Sequence, residues 1–265
     1  MTRLAFAPHA WRAIRVTLHV GQGLLTTLAV FPFAGPPRKR TLIKRWCVRL
    51  LALLHVEARV HGTLDAVGGN VMIVANHVSW LDIFVLNAQQ PARFVAKSEL
   101  ARWPFIGRLI RGAGTIFVQR ERRHDTRRVN DHAARALSSG DVVAVFPEGT
   151  TTDGTTLLPF HASLLQPIVT SHGQVQPVAL RYRDEHGEPS TAPAYGDETF
   201  ASSFWRVCGE RCLIAEVIAS AHVPAGNLHR RELTRRAEAA IRRALGLMAG
   251  ATAPGTPAVP ANSRR

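Results

Sequence analysis

The run Val71-Met72-Ile73-Val74-Ala75 contains no polar residue and stops at Asn76. Five apolar residues closed by a turn former describe a strand buried in a sheet. Short runs of the same kind recur at 56–62, 92–97, 114–120, 141–146, 174–182 and 212–219. Helical spacing fills the intervals. Residues 79–88 form one helix, a second runs through Trp103 and Ile110, and 121–139 is a very basic helix closed by Gly140. A last helix covers 227–247, with Leu233, Ala237, Ile241, Ala244 and Leu245 on one face. Strands alternating with helices predict an α/β fold: a mostly parallel or mixed sheet with helices on both faces.

The N-terminal segment follows a different pattern. Residues 16–37 carry no formal charge, which is about the length that spans a hydrocarbon core. His19, Gly21, Gln22, Gly23 and Pro32 interrupt it, and arginines or lysines flank it on both sides. The positive-inside rule places both flanks on the cytoplasmic side, which one span cannot satisfy. A re-entrant or interfacial helix can. In 41–56, Ile43, Cys47, Leu50, Leu51 and Leu54 share one helical face, with Arg45 and Arg49 opposite. This reads as a basic amphipathic helix of the membrane-surface type. No small-x-small cleavage site follows the apolar run, which sets a secretory leader aside. The expected organisation is a membrane-associating helical segment at 1–56, an α/β domain at 57–248 and a disordered tail at 249–265. The inner membrane's cytoplasmic face is the expected location.

The net charge of +14 implies an anionic partner: nucleic acid, a membrane surface, a phosphate ester or an acidic protein. No zinc finger, RNP-like strand or recognition-helix motif is present, so no nucleic-acid partner is expected. Three cysteines, Cys47, Cys208 and Cys212, build neither a disulfide framework nor a metal cluster. No metal and no cofactor are expected.

The chemistry concentrates after the buried strand, in Asn76-His77-Val78-Ser79-Trp80-Leu81-Asp82. On one continuous helix His77 and Asp82 would stand about 140° apart and could not pair. Ser79-x-x-Asp82 resembles a capping box, however. It leaves His77 outside the helix and Asp82 in its first turn, where the carboxylate can reach back to the imidazole. A histidine oriented by a carboxylate is a general base. Further blocks stand at strand ends, where ligands bind in open α/β sheets. They are Gly114 to Arg120, Phe146-Pro147-Glu148-Gly149-Thr150 and Val175-Gln176-Pro177.

In this order the four blocks resemble the glycerolipid (lysophospholipid) acyltransferase family, the bacterial 1-acyl-sn-glycerol-3-phosphate acyltransferases in particular. The resemblance runs from Val71 to Leu180. It implies His77 and Asp82 as the catalytic pair and Arg120 as ligand of the acceptor's phosphate. Lys97, in Val95-Ala96-Lys97-Ser98-Glu99-Leu100, is a second phosphate ligand. Glu148, Gly149 and Thr150 belong to the acceptor-binding block, and Pro177 shapes the acyl-donor side. The resemblance implies acyl-CoA or acyl-carrier protein as donor and lysophosphatidic acid as acceptor. Two positions depart from the family pattern. Thr151 stands where many members have Arg, and His161 where many have Lys. A head group held by fewer cations leaves room for lyso-ornithine lipid as the alternative acceptor. A serine-type lipid hydrolase would need a GxSxG elbow, which is absent.

Overall fold

The computed structural model describes residues 3–64, 69–118, 123–195 and 199–247. Strand β2 (Val71–Ala75) is the buried strand read from the sequence, and every one of its residues is enclosed. Its side chains alternate between two cores. Ile73 and Ala75 enter one, Met72 and Val74 the other.

Around β2 stand β1 (Val56–His61), β3 (Arg93–Lys97), β4 (Ile116–Val118), β5 (Val143–Val145), β6 (Gln174–Arg183), β7 (Leu213–Ala219) and β8 (Val223–Pro224). Their order is β1-β7-β6-β2-β5-β3-β4, with β8 paired to β6. The pairs β6–β2, β2–β5, β5–β3 and β3–β4 are parallel, while β6–β7 and β6–β8 are antiparallel. The expectation of a mostly parallel mixed sheet holds. Because β2, β3, β4, β5 and β6 run together, the segments after them leave from one edge of the sheet.

One core is covered by α1 (Arg3–Ala29), α2 (Pro36–Leu53), α3 (Leu81–Gln89) and α7 (Phe200–Gly209), with α4 (Ile106–Gly112) beside them. The other is covered by α5 (Arg123–Ser138), α6 (Gln166–Thr170) and α8 (Arg230–Leu245). The tail 249–265 lies outside the described residues.

The N-terminal reading needs a correction. Cys47, Leu50, Leu51 and Leu54 are the amphipathic face assigned to a membrane surface, and they are at most 3% exposed. They pack in the sheet's core, with α2 lying against α3. The sequence could not tell the two fates apart, because an apolar stripe at helical spacing suits either. The largest group of exposed apolar residues is on α1 instead. Trp11, Ile14, Leu18, Leu25 and Leu28 are each at least half exposed, and Phe33 beyond the helix is 88% exposed. No described helix is long and apolar enough to cross a membrane.

A reciprocal contact joins α1 to α2. The His19 ring stacks on Trp46 at 4.8 Å, His19 Nε2 lies 3.0 Å from the Trp46 carbonyl, and Trp46 Nε1 donates to the His19 carbonyl at 3.1 Å. Gly23 makes room for that indole: a β-carbon there would stand 2.5 Å from Trp46 Nε1. Gly23→Ala gains about 0.5–1 kcal/mol of helix propensity. Overpacking costs about 1–3 kcal/mol and outweighs it. The variant should therefore melt at lower temperature, with altered tryptophan fluorescence. A Tm equal to or above that of the parent would show that the helix pair yields freely.

Candidate active site

The turn after β2 is fixed before it carries chemistry. Asn76, 1% exposed, accepts a hydrogen bond from Leu180 N–H at 2.7 Å and donates Nδ2–H to the Leu180 carbonyl at 2.9 Å. The amide thus imitates a sheet residue and ties the end of β2 to β6. Next, His77 N–H donates to Glu148 Oε1 at 2.7 Å, and the His77 carbonyl accepts from Thr152 N–H at 2.9 Å. The backbone of His77 is held by the loop after β5.

The imidazole is held equally closely. It stacks on Phe146 with ring centroids 4.0 Å apart and planes 8° from parallel. Phe146 stacks in turn on Phe94 at 5.7 Å. His77 Nδ1 lies 2.8 Å from Asp82 Oδ2. An ionised carboxylate accepts only, so the proton resides on Nδ1 and the lone pair on Nε2. The side chain is 20% exposed, enough for a hydroxyl to approach Nε2.

Asp82 is fully buried in the first turn of α3. Oδ2 also accepts from Val78 N–H at 2.7 Å and Ser79 N–H at 2.9 Å, and Oδ1 accepts from the Tyr182 hydroxyl at 2.6 Å. The carboxylate half of the capping box forms, through Ser79 N–H, while Ser79 Oγ accepts from Leu81 N–H at 3.2 Å instead of from Asp82 N–H. The same bond engages Ser79 Oγ at the cap, and the residue is fully buried, which removes it as a nucleophile.

Glu148 follows β5 and is 4% exposed. Its Oε1 is taken by His77 N–H and its Oε2 by Leu158 N–H at 2.9 Å. Burial pushes its carboxyl above the usual range, opposed by those two backbone donors. Both oxygens brace the loops. Gly149 adopts φ +78°, a left-handed turn that glycine adopts without strain, and Thr150 beside it is exposed.

Pro177 lies within β6 opposite Val74, buried. A central strand tolerates proline poorly. Here it falls where β6 passes from pairing with β8 at Gln174–Val175 to pairing with β7 from Val178, and its carbonyl accepts from Ser220 N–H at 2.9 Å. Lys97 ends β3, exposed, opposite Val118 at the end of β4. Arg120 lies outside the described residues. The exposed His161 donates its backbone N–H to the Pro147 carbonyl at 2.9 Å, which sets it beside the Glu148 loop.

The parallel strands bring His77, Asp82, Lys97 and Glu148, four of the residues singled out in the sequence, to one edge. Sequence reading missed Tyr182, which stands 100 residues beyond Asp82 and outside the four blocks.

Comparison with known proteins places the chain. A family model described as Acyltransferase matches residues 57–181. A lyso-ornithine lipid O-acyltransferase of Pseudomonas aeruginosa is 39% identical over 210 residues, 79% of this chain and 80% of that protein. The chain belongs to the Acyltransferase family. A 1-acyl-sn-glycerol-3-phosphate acyltransferase of Neisseria gonorrhoeae is 38% identical over 167 residues, 63% of this chain and 66%, just under two thirds, of that protein. The crystal structure of the 1-acyl-sn-glycerophosphate (LPA) acyltransferase PlsC from Thermotoga maritima superposes with a TM-score of 0.63 at 20% identity. The match covers 92% of this chain and all of that one, and shows a shared fold.

Burial raises the Glu148 pKa, so the folded protein holds that proton more tightly than the unfolded chain does. Ionising Glu148 then costs folding free energy, and its contribution to stability falls as pH rises through the ordinary carboxylate range and above. Glu148→Gln does not titrate. Between about pH 4 and pH 7 the difference in Tm should move in favour of the Gln variant. Melting curves that stay parallel across that range would contradict the assignment.

Proposed function

We propose that this chain moves a fatty acyl group from a thioester donor, acyl-CoA or acyl-carrier protein, to the free hydroxyl of a lyso-lipid. The observation that carries the proposal is the His77–Asp82 pair, with Nδ1 bound to a buried carboxylate and the imidazole side chain 20% exposed. Nε2 takes the proton of the acceptor hydroxyl as its oxygen attacks the thioester carbonyl. Asp82 stabilises the imidazolium that forms. The tetrahedral intermediate collapses with loss of the thiolate, which takes the proton back from His77. Transfer is direct, since Ser79 is engaged in the helix cap.

Lysophosphatidic acid, giving phosphatidic acid, is the first reading of the acceptor. Lys97 ends β3 at the edge that carries His77, and a phosphate suits that cation and Arg120 alike. Lyso-ornithine lipid is the second. Two proteins with that name align over 79% and 87% of this chain, and Thr151 and His161 replace cations common at those positions in the family. The Thr151 hydroxyl is already donated to the Tyr195 carbonyl.

Apolar surface for an acyl chain lies close to the base. Phe94, beneath the Phe146–His77 stack, lines a crevice of about 70 Å³ shared with Trp46, Phe84 and Leu109. On the other face, a cleft of about 870 Å³ is lined by Arg93, Arg128, His132 and Arg135. Partial burial, then Arg93, Arg135 and Arg128, hold the His132 pKa below its usual value. Positive potential of that kind suits a phosphate-bearing donor or an acidic carrier. The exposed apolar residues of α1 suit the interface of an anionic membrane.

Thiol release from palmitoyl-CoA tests the reading, with membranes carrying the protein and each lyso-lipid offered separately. His77→Ala should lower kcat by about 10²–10⁴-fold. Lys97→Gln and Arg120→Gln should raise KM for lysophosphatidic acid and leave KM for lyso-ornithine lipid nearly unchanged. Release with lyso-ornithine lipid alone selects the second acceptor. No release with either, from acyl-CoA or acyl-carrier protein, overturns the proposal.

A further inference from the structure

Asp82 is fully buried, and among the described residues its only ion-pair partner is His77. Its charge is therefore compensated by oriented hydrogen bonds. Oδ2 has three donors, all from the segment 77–79. Those three would form in any chain that closed this capping turn. Oδ1 is different. Its one partner is the phenol of Tyr182, 100 residues away at the far end of β6. Tyr182 is 4% exposed and projects into the same core as Val178 and Leu180, as strand alternation requires. It stands one residue beyond the segment matched by the family model.

We propose that Tyr182 is a positioning residue that sets the basicity of His77 by holding the second oxygen of Asp82. Two physical effects follow. The phenol fixes the rotation of the carboxylate about its own axis, which aims Oδ2 at Nδ1. It also withdraws negative charge from the carboxylate, which lowers the pull on the Nδ1 proton and keeps Nε2 neutral at lower pH. Burial and the adjacent Asp82 push the phenol well above its usual pKa, so it remains a donor throughout the working range. The other titratable group around the dyad is Glu148, from the loop after β5, and it is the same in every variant below.

The inference rests on His77 as general base, and its test has a readout that needs no substrate. Tyr182→Phe keeps the ring and its packing and leaves Oδ1 without a donor. Histidine labelled with carbon-13 reports the titration of His77 by NMR, with His77→Asn assigning the resonance. In Tyr182→Phe the His77 pKa should rise by roughly half a unit or more, because the carboxylate holds more charge. In the acyl-transfer assay kcat should fall about 10- to 100-fold, KM for both substrates should stay within about twofold, and the acidic limb of the pH profile should move upward by the same increment. Placing 3-fluorotyrosine, a stronger donor, at position 182 should move the limb the opposite way.

A His77 titration unchanged in Tyr182→Phe overturns the inference, and so does a loss of kcat that accompanies only a lower Tm. Absence of acyl transfer in the parent protein would overturn the proposed function and leave the NMR titration to decide the role of Tyr182.

Discussion

A carboxylate with no exposure to water needs either a cation or a full set of donors. Asp82 has donors from two segments of the chain about a hundred residues apart. An isolated buried charge of this kind is costly, by several kcal/mol even after relaxation. Each donor therefore constrains the element it comes from. Val78 and Ser79 are drawn into a tight turn, α3 begins where it must for Asp82 to face backward, and β6 ends with a phenol in place. The imidazole is one member of that set, and its orientation is a by-product of satisfying the carboxylate.

A second layer supports the first. Asn76 and Glu148 use side chains to perform backbone functions, one completing a sheet ladder and the other accepting two loop amides. Their polar atoms are spent on holding the turn. Positioning of the proposed base is thus built into groups that touch no substrate, which is how a loop becomes as rigid as the sheet beneath it.

Much of this was legible in the sequence because local rules carry it. The buried run at Val71–Ala75 placed the central strand, and Ser79-x-x-Asp82 placed the start of α3 and the reach of Asp82 toward His77. What was illegible depends on tertiary partners. The stripe Cys47, Leu50, Leu51 and Leu54 has the same spacing whether lipid or α3 covers it, and the fold chose α3. Glu148 was read as facing an acceptor, since nothing nearby in the chain reveals that His77 and Leu158 amides would claim it. The helices at 166–170 and 200–209 were not read from the sequence.

The long sequence separations inside the site bear on how the protein is made. The bonds from Asn76 to Leu180, Glu148 to His77 and Tyr182 to Asp82 join residues 104, 71 and 100 positions apart. Contacts of such separation form late, after the loops between them have closed. During synthesis the His-Asp motif emerges from the ribosome long before β6 does. A nascent chain that ends short of Tyr182 contains the whole motif and lacks the architecture that holds it. The proposed base is fully held only once the strand carrying its furthest support has docked, which ties assembly of the site to completion of the sheet.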